Sequence, residues 1–388
     1  MSGSTEKTGE FQDGHKTEDV GRDKVENRVA VIYHPDYLLH EHSPTHPERR
    51  ERLTYTMDQL REEGVFELQE VDIVEPSPVT EADMEMVHTR GYLEKLQRMS
   101  RTGTGSLSVD TQVSEHVWDQ ALLAAGGVHE ACSLAVDPNS GYRRSFAMTR
   151  PGGHHAFSDD GHGFCFTNNT AVAIRKIQRE TDVEKVLLWD WDAHHFDGTQ
   201  EIFYDDPSVL TISTHQSGRT LFPGTGYEEE VGEGEGEGFN VNVPLPRKTG
   251  DEGYLRVVEE IFEPIAREYD PDFLFVEAGQ DCHFTDPITD LGVTAQGYGR
   301  LMDHAIDAAE EICGGKLAAS LAGGYGIEGG LPYTNLSVIA SLAGLDTSNI
   351  KEPSRYTPPG REPGVGNVVE RVKEVQGEWW GLVMVGRD

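Results

Sequence analysis

The sequence predicts an α/β protein whose parallel β-sheet carries helices on both faces. Short apolar runs, such as residues 186–189 and 317–319, alternate with longer stretches of helical periodicity, which is the pattern of repeated strand–helix units. Four of these runs lead into glycine-rich or polar segments that contain His, Asp or Tyr. Because parallel strands end at one edge of their sheet, we expect these segments to form a single site there.

Each predicted element follows from its apolar run or its helical period. Polar, acidic residues 1–27 predict a disordered tail, residues 28–345 a single domain, and the proline-containing residues 346–388 an irregular C-terminal extension. The predicted strands are 28–33, 145–148, 186–189, 209–213, 273–277 and 317–321. The predicted helices, besides one that starts near residue 47, are 83–98, 114–135, 168–179, 251–269 and 294–312.

The first helix follows a histidine-dense loop, residues 34–47. Thr45 is the predicted N-cap of this helix and Pro47 lies in its first turn. The buried stripe predicted for it is Leu53, Met57 and Leu60. The histidines of the loop are His34, His40, His42 and His46. We interpret them as packing and capping groups, because no carboxylate stands at ligand spacing from them.

The charge balance is strongly negative, since 68 acidic residues oppose 33 basic ones and leave a formal charge of -35. Such a surface stays hydrated at high salt, where screening removes most of the self-repulsion. A halophilic source is therefore predicted. Direct binding to nucleic acid is disfavoured because no basic stripe is present. A cationic substrate, such as a histone-like tail or a polyamine, would be attracted only at low salt.

The remaining composition predicts a cytoplasmic protein. No apolar run approaches the roughly 20 residues of a membrane span, and the polar N-terminus lacks the apolar core of a secretory signal. The four cysteines are widely spaced, which is typical of reduced thiols. They are Cys132, Cys165, Cys282 and Cys313.

Residues 186–198 carry the densest group of candidate metal ligands. The apolar run ends in Asp-Trp-Asp-Ala-His-His, and alternation along a strand places Asp190, Asp192 and His194 on one side. With Asp281, after a later strand, Asp192 and His194 make a plausible three-ligand site that leaves positions open for water or substrate. Zn²⁺ suits this oxygen and nitrogen set, but Fe²⁺, Co²⁺ or Mn²⁺ could replace it.

Two adjacent histidines, His154 and His155, are candidate proton carriers because a glycine-preceded loop allows them close approach to the metal. Asp190 and Asp197 are available to orient their imidazoles. Tyr325, on a Gly-Gly turn, is placed to donate a hydrogen bond to a developing oxyanion. A metal bound by the trio would lower the pKa of its water and polarise a carbonyl, which amide hydrolysis needs in addition to a proton acceptor. Each residue taken singly also suits an ordinary structural role.

Long motifs in the chain resemble the histone deacetylase and acetylpolyamine amidohydrolase superfamily, and its class II-like prokaryotic branch in particular. In chain order they are PTHPER, RPGGHHAFSDDGHGFCFTNN, DWDAHHFDGTQEIFYDDPSVLTISTH, FPGTGY, NVPLP, AGQDCHFTDP and LAGGYG. The resemblance spans about residues 29–342. It implies an arginase/deacetylase-like three-layer α/β/α fold around an eight-stranded parallel sheet, with residues 28–345 as the deacetylase domain.

The resemblance also implies a role for each matching residue. The catalytic zinc ligands would be Asp192, His194 and Asp281. His155, paired with Asp197, would be the general base and acid, and His154, paired with Asp190, would give electrostatic support. Tyr325 would polarise the acetyl carbonyl. Phe164 and Phe222 would wall the substrate tunnel, and a structural K⁺ would bind near Asp190, Asp192, His194, Ser213 and Thr214.

The sequence departs from the family pattern at several positions. Phe196 replaces a usual glycine before Asp197, Gln280 replaces a common Phe, and Ala322 replaces a frequent Glu. Gly152-Gly153 stands where Pro-Gly is usual. None of these changes removes a ligand or a proton carrier. Phe196 is the position at which we expect an altered active-site loop.

The predicted function is zinc-dependent removal of acetyl groups from Nε-acetyl-lysine in proteins. Ile288 is a predicted tunnel residue and lies near where polyamine-selective relatives place an acidic gatekeeper. An apolar residue at this position favours acetyl-lysine as the substrate. The alternatives are an acetylpolyamine amidohydrolase and a non-catalytic acetyl-lysine-binding subunit. The sequence predicts no oligomeric state.

Overall fold

A computed structural model describes residues 28–356 and 364–383, so the predicted tail at 1–27 lies outside the described residues. Its centre is one sheet of eight strands in the order β2-β1-β3-β8-β7-β4-β5-β6. Every strand pair is parallel, which confirms the predicted sheet. The strands are β1 Val29–Ile32, β2 Val71–Val74, β3 Arg144–Ala147, β4 Val186–Asp190, β5 Val209–Gln216, β6 Asn240–Leu245, β7 Phe273–Ala278 and β8 Leu317–Leu321.

Helices cover both faces of this sheet. They are α1 Glu51–Glu62, α2 Glu81–Met84, α3 Arg90–Thr102, α4 Val117–Val136, α5 Asn169–Glu180, α6 Asp197–Phe203, α7 Asp251–Val257, α8 Glu263–Tyr269, α9 Ala295–Ile312, α10 Gly330–Leu342 and α11 Val365–Gln376. A π-helical turn, Val258–Phe262, joins α7 to α8. The predicted helix at 251–269 is therefore continuous in path but widened at its centre.

The strand β4 shows how the two faces are filled. Leu187 and Trp189 pack into the large core cluster that α1, α9 and α10 share. Val186 and Leu188 point the other way, into the cluster formed with α4 and α5. A continuous apolar run is what a strand buried on both faces requires, and it carries the chain directly to the polar residues at the strand end.

Several boundaries differ from the sequence prediction. β2 and β6 were not predicted, and the predicted helix at 83–98 is two helices, because Thr80 and Thr89 each cap a new helix start. The predicted Thr45 cap is wrong, since α1 begins at Glu51 after Arg50. Pro47 therefore precedes the helix instead of lying in its first turn.

The C-terminal part is not wholly irregular, as the sequence had suggested. The helix α11 buries Val365, Val369 and Val372, whose spacing is that of one helix face. Gln376 donates to the carbonyl of Asn240 at 2.9 Å and thereby ties this helix to β6. Trp380 is buried in the main core. The edge strand β6 is thus covered by a helix from the predicted extension.

Candidate active site

The three predicted metal ligands converge at the carboxyl edge of the sheet. Asp192 and His194 lie just beyond β4, and Asp281 lies just beyond the neighbouring β7. His194 Nδ1 is 3.1 Å from Asp192 Oδ1 and 2.9 Å from Asp281 Oδ2. All three residues are buried, and their candidate ligand atoms lie within 4.8 Å of one another. One ion could contact all three.

Backbone groups hold the two carboxylates in place. The N–H of Gly323 donates to Asp192 Oδ2 at 2.7 Å, and the N–H of Ala193 donates to Asp281 Oδ1 at 2.7 Å. A Cβ on Gly323 would lie only 2.5 Å from Asp192 Oδ2. Glycine is therefore required where the chain after β8 passes the ligands.

The charges of this trio fit a divalent cation. Burial and the charge of Asp192 raise the pKa of Asp281 to about 6. Burial lowers the pKa of His194, but bonds to Asp192 and Asp281 outweigh it and raise that pKa to about 10. The negative charge of this buried trio thus favours protonation of Asp281 and His194 when no metal is bound. A divalent ion would supply the compensating positive charge, and two oxygens with one nitrogen suit Zn²⁺ or Fe²⁺.

The inner histidine–aspartate pair is His154 with Asp190. His154 Nδ1 is 2.8 Å from Asp190 Oδ2, and its Nε2 is 4.0 Å from Asp192 Oδ1. Burial lowers the pKa of His154, but the charges of Asp192 and Asp190 exceed that effect and raise the pKa to about 10. The imidazole of the inner pair is therefore cationic near neutral pH.

The outer pair is His155 with Asp197, the first residue of α6. His155 Nδ1 is 2.7 Å from Asp197 Oδ1. Burial and the neighbouring His154 cation lower the pKa of His155 to about 4, although Asp197 opposes the change. The imidazole of the outer pair is therefore neutral. With Nδ1 donating to the carboxylate, Nε2 is left as an acceptor.

Two of the unusual residues pack away from the reacting groups. Phe196 is fully buried in the core cluster on the α5 side, with Phe203 in the same cluster, and the loop still brings Asp197 to His155. Its φ of -77° is open to any residue, so glycine is not needed. Gln280, also buried, donates to Asn335 Oδ1 at 3.3 Å behind the metal ligands.

Tyr325 lies on the turn that follows β8. Its backbone N–H donates to Asp286 Oδ2 at 2.8 Å. Arg52 donates to the carbonyls of Gly324 and Ala322, and its guanidinium lies 5.0 Å from the centre of the Tyr325 ring. Burial raises the pKa of the Tyr325 phenol, although Arg52 opposes the shift. The phenol therefore stays protonated and available as a hydrogen-bond donor.

Phe164 and Phe222 lie beside these groups, and their place in the wall of a substrate tunnel stays a prediction. The Phe164 ring centre is 5.7 Å from that of Tyr325, and the Phe222 ring centre is 5.2 Å from that of His155. A Cβ on Gly163, which has a φ of +55°, would lie 2.5 Å from His155 Cδ2. Phe222 is 43% exposed, as expected of a residue at an opening.

Ile288 lies in the turn that follows Asp286 and Pro287. Its backbone N–H donates to Asp286 Oδ1 at 3.0 Å, so it belongs to the turn that also holds Tyr325. The residue is half-buried. Its place in the wall of a substrate tunnel stays a prediction.

The predicted K⁺ ligands occupy adjacent strands. Asp190 of β4 pairs in register with Ser213 of β5. The side chains of Ser213 and Thr214 already bond within the protein, Ser213 Oγ to His215 Nδ1 at 2.8 Å and Thr214 Oγ1 to Trp189 Nε1 at 3.3 Å. Each hydroxyl oxygen keeps a lone pair beyond these bonds, and the binding of a cation here stays a prediction.

The histidine-dense loop does have a carboxylate partner that the sequence analysis missed. Glu48 Oε2 is 3.5 Å from His42 Nε2 and 4.0 Å from His40 Nε2. Two guanidiniums already neutralise Glu48, Arg150 at 2.6 Å and Arg52 at 3.2 Å. The charge of Glu48 in this buried cluster is therefore balanced by arginine. Glu48 follows the histidines closely in the sequence and could have been recognised as their carboxylate partner. Its pairing with Arg150 could not, because the two residues are far apart in the chain.

The fold and the site together define the arginase/deacetylase-like class of α/β protein. The match to the Histone deacetylase domain family covers residues 46–340. A structural comparison gives the same answer, since the HDA15 HD domain crystal structure superposes with a TM-score of 0.81 at 32% identity, covering 92% of this chain and 96% of that one.

Curated relatives agree with this class. A "Probable deacetylase" of Archaeoglobus fulgidus is 49% identical, with 91% of this chain and 98% of the relative covered. Acetoin utilization protein AcuC of Bacillus subtilis is 34% identical, with 82% of each covered. The histone deacetylase-like amidohydrolase of Pseudomonas aeruginosa is 34% identical, with 72% of each covered. The chain belongs to the histone deacetylase domain family.

A search of the described helices found none with the length and apolar character of a membrane span.

Proposed function

We propose that this protein is a zinc-dependent deacetylase that removes acetyl groups from Nε-acetyl-lysine side chains of proteins and releases acetate. One observation carries the proposal. The trio of Asp192, His194 and Asp281 lies beside two histidine–aspartate pairs, and the outer histidine, His155, also packs against the partly exposed Phe222. A purely structural metal site needs no adjacent proton carriers.

Each residue group then has a chemical task. Phe164 and Phe222 hold the alkyl chain of the acylated lysine, which presents its carbonyl to the buried trio. A divalent ion held there would polarise the carbonyl and lower the pKa of the attacking water. His155 accepts the proton of the water through Nε2 and returns it to the departing amine. Tyr325 donates its phenol hydrogen to the oxyanion, and cationic His154 stabilises the developing negative charge.

The apolar character of the predicted tunnel residues favours acetyl-lysine in a protein as the substrate, and we propose that the protein acts in the cytoplasm. Ile288 offers no charge to a polyamine, and Phe222 at the opening is apolar. The same catalytic groups would also hydrolyse an acetylpolyamine. The two substrate classes therefore have to be compared directly in one assay.

The test is turnover by purified, zinc-loaded protein in molar KCl, with acetyl-lysine peptides and acetylspermidine as parallel substrates. We expect the peptides to be cleaved with the higher kcat/KM. Preference for acetylspermidine would assign the protein to polyamine metabolism instead.

Asp192→Asn provides the matched control for metal dependence. This variant should lose both bound zinc and turnover. Glu184, an exposed acid at the opposite end of β4, serves as the neutral control when changed to Gln. Binding of acetyl-lysine peptides without cleavage by any metal-loaded form would indicate a binding subunit.

A further inference from the structure

The carboxylate of the outer pair is shared by two histidines. Asp197 Oδ1 accepts from His155 Nδ1, and Asp197 Oδ2 lies 3.0 Å from His162 Nε2. The rings of His155 and His162 are 5.6 Å apart between centres. His162 lies between Gly161 and Gly163, in the segment that follows His154 and His155.

The two oxygens of Asp197 have different supports. Oδ1 also accepts from the N–H of Gly198 at 3.1 Å. In the described part of the chain, the polar partner of Oδ2 is His162. Since the two oxygens are rigidly linked, the contact at Oδ2 sets the plane of the carboxylate. That plane in turn determines whether Oδ1 points at His155 Nδ1.

Water is the competing partner for Oδ2. Asp197 contributes to the wall of an open pocket of about 480 Å³, which Phe157, Glu201 and Tyr204 also line. Without His162, water from this pocket would solvate the carboxylate but would not fix its orientation.

His162 is itself held on several sides. Its ring stacks on Phe157 at 4.8 Å with an interplanar angle of 16°, and lies 5.4 Å from the ring of Phe222. Burial lowers the pKa of His162, but Asp197 on α6, Asp110 on the facing loop and Asp160 on its own loop together raise it. The raised pKa has the direction that a carboxylate neighbour produces.

We propose that His162 is a positioning residue of the outer pair, which fixes the carboxylate of Asp197 so that this carboxylate orients His155 for proton transfer. The proposal rests on the function proposed above. His162 contacts neither the candidate metal ligands nor the reacting atoms. It acts through Asp197.

The experiment compares three variants of the full-length, zinc-loaded protein. His162→Leu removes the polar contact and keeps apolar bulk. His162→Gln retains an amide N–H at a similar distance from the backbone as Nε2. His129→Leu is the matched control, because His129 has a similar exposure and a carboxylate partner, Glu180 at 3.1 Å, on a remote helix.

We expect His162→Leu to lower kcat about 10–100-fold, the usual cost of losing a supporting polar contact behind a functional group, with little change in KM. His162→Gln should recover most of the loss, and His129→Leu should match wild type. A packing role alone would instead lower Tm and leave kcat unchanged, or would affect the Leu and Gln variants equally. Either result overturns the proposal.

A second readout does not depend on turnover. In wild type, the Nδ1 proton of His155 should give a low-field proton resonance because of its short bond to Asp197. His162→Leu should shift or broaden that signal, and His162→Gln should retain it. An unchanged signal in the Leu variant contradicts the positioning role. Absence of turnover in wild type would instead contradict the proposed function alone.

Discussion

The two histidine–aspartate pairs come from adjacent histidines yet differ in almost every physical respect. His154 faces Asp190 and, at 4.0 Å, Asp192, so its imidazole lies in a field of buried negative charge. His155 faces only Asp197 directly and has the His154 cation as its neighbour. One backbone step therefore separates a charged imidazole from a neutral one.

This difference shows how one loop can supply both an electrostatic group and a base. Burial penalises the charged form of both imidazoles, but only His154 has enough neighbouring carboxylate to overcome the penalty. Once His154 is charged, it suppresses protonation of His155. The inner pair thus keeps the outer pair in the form that can accept a proton.

The largest expected effect comes from removing each imidazole in turn. His155→Ala should lower kcat about 10²–10⁴-fold, the usual contribution of a general acid–base group. His154→Ala should cost clearly less, because it removes charge support but no proton carrier. Steady-state kinetics with saturating zinc measure both. Equal losses would mean that the two histidines share one role.

Tyr325→Phe should have the next largest effect, because it removes the phenol that is proposed to donate a hydrogen bond to the oxyanion. We expect kcat to fall about 10²–10³-fold with KM nearly constant. Tyr333→Phe, on α10 shortly after the same turn, is the control and should retain activity. If Tyr325→Phe mainly raised KM, the phenol would bind substrate without stabilising the oxyanion.

Opposite pH dependences of stability should distinguish the two imidazoles in the metal-free protein. His155, with a pKa of about 4 against an ordinary 6.5, lowers stability as pH falls from 6.5 to 4, because the unfolded chain binds the extra proton. His154, with a pKa of about 10, contributes stability that is complete below pH 6.5 and is lost as pH rises to 10. Each slope is about 1.4 kcal/mol per pH unit within its window.

Thermal unfolding across pH, compared among wild type, His155→Gln and His154→Gln, measures these slopes. The first variant should flatten the acidic limb and the second the alkaline limb. Because His154→Gln also removes the cation that suppresses protonation of His155, it should reduce the acidic slope as well. An alkaline limb that persisted in His154→Gln would show that the assigned charge of His154 is wrong.

Added salt should have the smallest effect. It should raise the free energy of unfolding by screening the repulsion between surface carboxylates. With a net charge of -35, raising KCl from ~0.1 M to ~1 M shortens the Debye length from ~10 Å to ~3 Å and relieves repulsion. We expect about 1 kcal/mol of added stability, or a few degrees in Tm. The kcat ratio of the His154 and His155 variants should stay constant, since both pairs are buried. An unchanged Tm would contradict a halophilic surface.

Much of the fold was predictable because its signals are local. The apolar runs at β4, β7 and β8 mark strands buried on both faces. β2 was missed because Asp72 interrupts its short run, and β6 because Asn240 and Asn242 alternate with its valines. The valines of α11 have helical spacing, but the prolines that precede this helix in the sequence led to the prediction of an irregular segment.

The sequence by itself determined which chemical groups stand at the strand ends, since Asp192, His194, His154 and His155 follow directly from the apolar runs that place them. Only the tertiary structure decided what those groups become. The charge of His154, the neutrality of His155 and the sharing of Asp197 with His162 depend on carboxylates and burial supplied by distant parts of the chain. Such electrostatic environments are sums over neighbours in space, and sequence spacing alone does not specify them.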